Sequence, residues 1–258
     1  MHLAHDWRSL WLVLASFLAG ALNAMAGGGS FLSFPALLNV GVLPIQANAT
    51  NTVALWPGQL TSIAAYRDDL RHNLRLLTPL CIAAALGGLA GAIVLLHTGQ
   101  TTFMRLIPWL LLVAALLFAA SAPISRWLRT RPTTRAASQP SVIPLFVGTL
   151  FVCFYIGYFG AGAGFLIMSL LALFGMQNIN QINALKVCTT TLANGIAVLT
   201  FIVGRQVEWR YCLLMMIAAA IGGYLGGRSS RKLNPQFMRV LIVAIGLGMS
   251  AYFFWKQR

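Results

Sequence analysis

The chain consists of two similar hydrophobic halves in tandem. Residues 17–121 match residues 151–253 at an offset of about 134–135 positions. Matching groups recur in the same order: Phe31-Leu32 as Phe165-Leu166; Gln46, Asn48 and Ala49 as Gln181, Asn183 and Ala184; Gly87-Gly88 and Gly91 as Gly222-Gly223 and Gly226; and Phe103-Met104-Arg105 as Phe237-Met238-Arg239. A chance match between two Leu/Ala/Gly-rich stretches does not account for runs such as Phe-Met-Arg. Duplicated bundles of apolar helices are typical of secondary transporters, whose site lies at the repeat interface.

The composition indicates an integral membrane protein. Hydrophobic residues make up 59% of the chain and charged residues 9%, against about 25% charged in a typical soluble domain. The net charge of +14 comes from 18 Lys and Arg against 4 Asp and Glu. Most of these basic residues lie between apolar segments, where they set orientation and contact anionic membrane lipid. Basic and aromatic residues do not alternate as in single-strand binders, so we expect no nucleic-acid partner.

Metal, cofactor and enzyme chemistry are not indicated. The four cysteines lie in apolar runs without a Cys-x-x-Cys pair, as expected of buried apolar side chains. The four histidines lie at the N-terminus or near segment ends, without metal-ligand spacing. No Ser/His/Asp set, Cys/His pair or phosphate-binding loop is present. We therefore predict no metal, no cofactor and no enzymatic activity.

The apolar segments predict an all-α membrane fold of two homologous repeats, each with about four helices. The first-copy segments are Leu10–Ala26, Phe31–Asn39, Ile45–Tyr66, Leu74–Leu96 and Phe103–Ser121, and the second-copy segments are Val142–Phe159, Phe165–Phe174, Ile182–Val203, Tyr211–Gly226 and Phe237–Trp255. Leu10–Ala26 resembles a signal peptide, but its repeat partner is internal, so we expect a retained span. The repeats occupy residues 1–125 and 141–258. Between them, residues 126–140 are basic with two prolines, which predicts a mobile, non-helical cytoplasmic linker.

The short segment Phe31–Asn39 leaves two topologies open, because it cannot cross a bilayer alone. It either extends the first span through the glycines, giving about eight spans and parallel repeats, or it is half of a re-entrant hairpin, giving inverted repeats. In the second case the next helix is broken again at Trp56-Pro57-Gly58. The chain has 17 Lys and Arg besides Lys186, and positive charge collects on the cytoplasmic side of a membrane. The two sides of the membrane carry 12 and 5 of these residues in the first topology, and 11 and 6 in the second, so the count does not decide between them. Both put the linker in the cytoplasm. We expect the first, with both termini on the linker side.

Lys186 is the one charged residue well within a predicted span. The four carboxylates, Asp6, Asp68, Asp69 and Glu208, all lie outside the predicted spans, whereas cation-coupled carriers usually place acids within the bilayer. A lysine near the centre of a spanning helix costs about 2.5–3.5 kcal/mol on insertion scales. An unpaired cation facing a cavity binds an anion. The alternative is a lysine that extends to the membrane interface from near the start of its segment.

Two glycine-rich turns, Gly27–Ser30 and Gly160–Gly164, each precede a short helical segment. Free N–H groups at the start of such a helix, with about +0.5 of a charge from its dipole, favour an anion. The alternative role for these glycines is close helix packing. The second turn lacks the run of three glycines found in the first, so its backbone approaches a ligand less closely.

Amide and hydroxyl residues near the turns complete the predicted site. Asn51 aligns with Lys186, so the two halves present unlike groups at equivalent positions. Such residues also join helices at about 0.6 kcal/mol each, which is the alternative role. The predicted substrate-binding residues are Asn23, Gly27, Gly28, Gly29, Ser30, Asn48, Thr50, Asn51, Gly160, Gly162, Gly164, Asn183, Lys186, Thr190 and Asn194.

At these positions the chain resembles the TauE/SafE family, exporters of sulfite and organosulfur anions, also known as domain-of-unknown-function 81 proteins. The resemblance covers nearly the whole chain. The motifs are Asn23 with Gly27-Gly28-Gly29, Pro35 and Leu37; Asn48 with Thr50-Asn51; Gly157 with Gly160, Gly162 and Gly164; and Gly222-Gly223 and Gly226 with the basic run Arg228–Lys232. It implies a duplicated fold of seven to nine spans in a bacterial inner membrane, exporting small anions such as sulfite, sulfoacetate or other sulfonates.

We therefore expect a permease for a small, sulfur-containing anion that works by alternating access. The anion binds between the two turns, Asn51 and Lys186. The alternatives are a transporter of another small solute, with Lys186 in a structural role, and a non-transporting membrane scaffold or assembly factor. The apolar belt suits either a monomer or a homodimer in lipid.

Overall fold

The computed structural model describes residues 3–25, 28–65, 70, 74–130, 142–176, 178–229 and 235–256. These residues form ten α-helices and no strand, which confirms the all-α class. The helices are α1 (Leu3–Met25), α2 (Ser30–Asn39), α3 (Pro44–Ala65), α4 (Leu74–His97), α5 (Gln100–Thr130), α6 (Val142–Tyr158), α7 (Ala163–Leu173), α8 (Ile179–Val203), α9 (Trp209–Ser229) and α10 (Pro235–Lys256).

Four of these helices contain a segment long and apolar enough to cross a membrane: α4, α5, α8 and α9. Shorter apolar segments lie in α1, α2, α6, α7 and α10. Large apolar side chains are exposed along the outside of the bundle, among them Ile82, Leu86 and Ile93 of α4. A surface of this kind is stable only in contact with lipid or another apolar surface, so the chain is a multi-pass membrane protein.

Helix α5 is longer than the sequence predicts. It continues to Thr130 and so includes the first five residues of the segment 126–140, where we expected no helix. Trp127 and Leu128 continue the apolar pattern of α5, and Arg126 and Arg129 are good helix formers. Pro132 disfavours helical backbone at the residue before it, which places the boundary near Thr130. Residues 131–140 lie outside the described residues.

Close packing of small residues fixes the relative directions of two helix pairs. The contacts are Gly87 with Leu150 and Gly91 with Phe154 between α4 and α6, and Gly222 with Phe17 and Gly226 with Ala21 between α9 and α1. In each pair the contact positions advance together along both helices, so α4 is parallel to α6 and α9 is parallel to α1. A Cβ at any of these glycines would fall on the partner's backbone, so only glycine permits this approach.

Helices α6 and α7 form a hairpin. Gly148 of α6 packs against Leu170 of α7, and the two lie at similar distances in sequence from the turn at Gly160. Helices α1 and α2 are arranged in the same way, since Gly29 at the start of α2 lies against the backbone of Ala19 in α1. The short helices α2 and α7 therefore turn back beside the helix that precedes them.

The direction of α3 is set by contacts at its two ends. The Ile45 N–H, at the start of α3, donates to Gln100 Oε1 at the start of α5 (3.0 Å). Ile63, near the other end, packs against the same apolar cluster as Leu76 at the start of α4. Helix α3 therefore runs antiparallel to α4.

Helix α8 runs the opposite way to α3. Gly88 of α4 packs against Ala193 of α8, and Leu96 of α4 packs against Gly204 after α8, so α8 is parallel to α4. One end of the bundle thus holds the starts of α1, α3, α5 and α9 and the end of α10. The other holds the end of α5 and the starts of α4, α6, α8 and α10. These ends are called the terminal end and the linker end below.

The two hairpins enter the bundle from opposite ends. The α1–α2 hairpin enters from the terminal end and the α6–α7 hairpin from the linker end. This is the inverted arrangement with re-entrant hairpins, rather than the parallel one. The described ends of the chain, Leu3 and Lys256, lie at the end of the bundle opposite Thr130 and Val142, which differs from our expectation of a common side. The homology of the two halves itself stays a prediction.

Candidate functional site

Helices α3 and α8 cross in the middle of the bundle, and two interhelical hydrogen bonds mark the crossing. Trp56 Nε1 donates to the Thr191 carbonyl oxygen, and Asn194 Nδ2 donates to Gln59 Oε1, each at 3.0 Å. In both bonds the partners are 135 residues apart, which is the offset of the sequence match. The crossing is therefore where equivalent positions of the two halves meet.

Lys186 lies on the linker side of this crossing, at the start of α7. Its Nζ donates to Asn183 Oδ1 at 3.1 Å, and a Cβ built on Gly164 would lie 3.8 Å from Lys186 Cδ. We call Gly164, Asn183 and Lys186 the lysine cluster. Gly160 and Gly162, with φ of +76° and +72°, turn the chain so that α7 begins beside this lysine. A cation and a helix N-terminus, both of which attract anions, thus lie next to each other.

No acid neutralises Lys186 in the described part of the chain. Among the described residues, Asn183 is the only hydrogen-bond partner of the Lys186 ammonium. Glu208, the one carboxylate whose side chain is described, lies at the terminal end, where its N–H bonds to Thr50. A half-buried ammonium within an apolar helix is costly unless something compensates its charge. Lys186 is therefore a candidate anion-binding residue, with no carboxylate partner among the described residues.

The lysine cluster belongs to a polar face of α8. Asn183, Lys186, Thr190 and Asn194 follow one another at helical spacing, and all four are partly exposed. The opposite face of α8 carries apolar residues such as Leu192, Ile196 and Leu199. Because α3 and the α6–α7 hairpin flank the polar face, this face is turned toward other helices of the bundle.

Side chains at both edges extend this polar face. Asn194 bonds to Gln59 of α3, and a Cβ at Gly160 would lie 3.7 Å from Asn194 Oδ1. The Thr190 hydroxyl is 2.8 Å from the Lys186 carbonyl oxygen and bonds within its own helix. The structure therefore brings together five of the predicted residues: Gly160, Gly164, Asn183, Lys186 and Asn194, with Thr190 between them.

A second, neutral cluster lies on the terminal side of the crossing. The Gly29 N–H donates to Asn23 Oδ1 at 3.1 Å. The Ser33 hydroxyl lies 3.2 Å from the Gly29 carbonyl oxygen and 2.5 Å from Asn51 Oδ1. We call these four residues the amide cluster. Ser33 and Asn51 are buried, so their polar atoms bond mainly to one another.

Asn51 and Lys186 lie on opposite sides of the crossing. Each precedes its crossing residue, Trp56 or Thr191, by five positions, and the two helices are antiparallel. At 1.5 Å per residue, this separates Asn51 from Lys186 by about 15 Å along the helices. The predicted residues thus form two clusters rather than one ring around a single point.

The remaining predicted residues hold elements together or lie at their ends. Asn48 Nδ2 donates to the Tyr158 carbonyl oxygen at 3.2 Å, and Thr50 Oγ1 accepts from the Glu208 N–H at 2.9 Å. Gly162 faces Ala114 of α5. Gly28, with φ of +92°, and Ser30 lead into α2, and Gly27 lies outside the described residues.

Three side chains of the amide cluster and the α3–α8 crossing were not predicted: Ser33, Trp56 and Gln59. Gln59 carries a usable signal, since it is a polar residue within an apolar helix and stands 135 positions before Asn194. Ser33 stands one helical turn after Gly29 and so shares its face. Trp56 reads as an ordinary apolar residue, and only the packing of its ring against Gly195 shows its position.

A cavity of about 260 Å³ lies between α4 and α6 and touches neither glycine turn. It is lined by Gly87, Ala90, Leu150, Phe151 and Phe154. This lining offers an anion no hydrogen-bond donor from a side chain, so the cavity is not a candidate for the anion site.

Comparison with known proteins places the chain among membrane transporters. The family model described as "Sulfite exporter TauE/SafE" matches residues 12–253. A "Probable membrane transporter protein" of Haemophilus influenzae is 27% identical over 248 residues, 95% of this chain and 94% of that protein. The "Probable membrane transporter protein YfcA" of Escherichia coli is 28% identical over 244 residues, 93% and 87%.

A third relative, the "Probable membrane transporter protein ORF9" of a Sinorhizobium species, is 26% identical over 249 residues, 93% of this chain and 90% of the relative. No solved structure matches the chain significantly.

Proposed function

This chain belongs to the sulfite exporter TauE/SafE family of membrane transporters, and we propose that it carries a small sulfur oxyanion, sulfite or a sulfonate, across the bacterial inner membrane. The proposal is supported by one observation above all. Lys186 is a half-buried cation that has a single neutral partner in the described chain and lies at the start of α7.

The chemistry of the lysine cluster suits a compact oxyanion. Charge-assisted hydrogen bonds from an ammonium to an anionic oxygen are about twice as strong as neutral ones. The start of α7, where a helix has N–H groups to spare for a ligand, lies beside the Lys186 side chain. The Asn183 and Asn194 side chains supply amide donors along the same face of α8. Together these groups replace the hydration shell of a small anion with several oxygens.

Transport by alternating access fits the two clusters on either side of the α3–α8 crossing. The anion binds at the lysine cluster, passes the crossing, and leaves past the amide cluster as one half of the molecule rocks against the other. The half-helices α2 and α7 direct their N-termini toward the crossing from opposite ends. Broken helices of this kind supply the midplane sites of many secondary transporters.

The orientation in the membrane follows from the distribution of basic residues. With inverted repeats, 11 of the 17 Lys and Arg other than Lys186 belong to the linker end and 6 to the terminal end. Positive charge collects on the cytoplasmic side of inner-membrane proteins. We therefore place the linker end in the cytoplasm and both termini on the outer side.

The test is anion flux in proteoliposomes with the wild type, Lys186→Met and Lys256→Met. Lys256 ends α10 and lies over the Tyr252 ring, away from both clusters, so its variant is a matched control. We expect wild-type flux of sulfite or a sulfonate, loss of at least tenfold in Lys186→Met, and little change in Lys256→Met.

Equal flux in all three proteins would contradict an anion site at Lys186 while leaving transport intact. Absence of flux for both anions in folded wild-type protein would instead favour another solute or a scaffold.

A further inference from the structure

The polar residues on the two sides of the α3–α8 crossing differ in their access to solvent. On the linker side, Asn183 and Lys186 of α8 are partly exposed. Their equivalents on α3, 135 positions earlier, are Asn48 and Asn51, and these are only 2% and 3% exposed. Thr50 between them is fully buried. The partly exposed polar face of α8 therefore has no equally exposed counterpart along α3.

Hydrogen bonds close the terminal side. Asn48 Nδ2 bonds to the Tyr158 carbonyl oxygen, which joins α3 to the tip of the α6–α7 hairpin. Thr50 Oγ1 accepts from the Glu208 N–H, which joins α3 to the start of α9. Both bonds connect the first half of the chain to the second, so they must break if one half rocks away from the other at this end.

Aromatic packing covers the same place. The Phe159 ring, at the hairpin tip, meets Phe34 of α2 edge-on, with 5.6 Å between ring centroids. It also meets Phe103 of α5 at 6.3 Å, and Phe103 meets Tyr158 at 5.7 Å. Three buried rings beside the two hydrogen bonds exclude water from the amide cluster.

We propose that Asn48, Thr50, Phe34, Phe103 and Phe159 form the gate of the terminal end, and that the structure is the state open toward the linker end. The inference rests on the proposed transport function. Its basis is the contrast between the exposed polar face of α8 and the buried one of α3. In this state an anion reaches Lys186 from the linker end only, and the gate must open before it leaves at the terminal end.

The test uses single cysteines in a chain whose native cysteines, Cys81, Cys153, Cys188 and Cys212, are replaced by alanine. The replacement matters because Cys188 is half-buried and lies two residues from Lys186. Asn183→Cys reports access from the linker side and Asn51→Cys reports access from the terminal side, because Asn51 is only 3% exposed and makes neither of the two gate bonds. Each is treated with a charged, membrane-impermeant maleimide, added from either side of oriented vesicles. We expect labelling of Asn183→Cys from the linker side only, and protection of Asn51→Cys from both sides.

Opening the gate should expose Asn51→Cys. Thr50→Val removes the acceptor for the Glu208 N–H and Phe159→Ala removes the central ring, so either change should speed labelling from the terminal side at least tenfold. Thr52→Val is the control, because the Thr52 hydroxyl bonds only to the Asn48 carbonyl oxygen in its own helix. Labelling of Asn183→Cys should stay confined to the linker side, whereas an unfolded protein would react from both sides.

Two results would overturn the gate. One is labelling of Asn51→Cys from the terminal side without any gate variant. The other is an equal effect of Thr50→Val and Thr52→Val together with no effect of Phe159→Ala. Since labelling needs no substrate, these outcomes are independent of whether sulfite or a sulfonate is transported.

Discussion

Lys186 owes its proposed role to its neighbours as much as to its charge. The lysine stem passes Gly164 at the start of α7, where a side chain would narrow the space beside it. The Asn183 amide oxygen orients the ammonium without neutralising it. A lysine paired with a carboxylate would have no charge left for a ligand, so the absence of an acid among its described neighbours matters as much as the lysine itself.

Gly164→Ala tests this arrangement at a single atom. The added Cβ would lie 3.8 Å from Lys186 Cδ, an ordinary contact, and alanine favours a helix over glycine by about 1 kcal/mol. We expect unchanged or slightly higher thermal stability, but a several-fold higher half-saturation concentration for the anion. Gly248→Ala, in open space on α10, is the control and should change neither. An unchanged half-saturation in Gly164→Ala would place the anion away from the start of α7.

At the scale of helices, the sequence predicts where each helix begins and ends better than the direction in which it crosses the bundle. The apolar segments agree with the helix bounds to within a few residues over most of the chain, since hydrophobic length sets them. The direction of α2 could not be predicted, because nine apolar residues read the same in a span or in a hairpin. What decides it is the contact of Gly29 with Ala19, between residues whose proximity depends on the turn.

The candidate site likewise contains residues that the sequence reveals and residues that only the fold reveals. Lys186 stands out in the sequence because a charge in an apolar helix has a large cost. Ser33 does not, because it is an unremarkable polar residue whose partner Asn51 lies 18 positions away. Gln59 is noticeable as a polar residue in an apolar helix, but its partner Asn194 lies 135 positions away. That Asn51 and Lys186 lie apart follows from antiparallel helices, which sequence alignment alone does not reveal.

The strength of the Asn194–Gln59 hydrogen bond at the α3–α8 crossing can be measured as a coupling energy. Asn194→Ala and Gln59→Ala remove the two partners of one interhelical bond. In a double-mutant cycle on unfolding, we expect a coupling of about 0.6 kcal/mol, the average for such bonds in membranes, and no more than about 1.7. Thr61→Ala, whose hydroxyl bonds to the Gly58 carbonyl oxygen, should give none with Asn194→Ala. Equal couplings in both cycles would argue against a direct bond between Asn194 and Gln59.

At the scale of the whole molecule, the helix directions predict where the ends of the chain lie. Alkaline phosphatase is active only outside the cytoplasm, whereas green fluorescent protein is fluorescent when folded in the cytoplasm. We expect an active phosphatase and no fluorescence for fusions after Arg258, and the reverse for insertions in the linker near Ser138. Fluorescence of both the fusion after Arg258 and the insertion near Ser138 would put the C-terminus and the linker on one side of the membrane, which would favour the parallel arrangement and contradict the inverted one.

The inverted arrangement has a consequence for the kinetics of such a carrier. Two identical halves in opposite orientation would make the two membrane faces equivalent, with the same affinity on each. Here a lysine occupies one position and an asparagine its counterpart, so that equivalence is broken. A passive carrier cannot change the final concentration ratio across the membrane, so the asymmetry must appear in rates. Influx and efflux then reach half-saturation at different anion concentrations. The lower half-saturation concentration is expected for transport from the side of the membrane that gives access to Lys186.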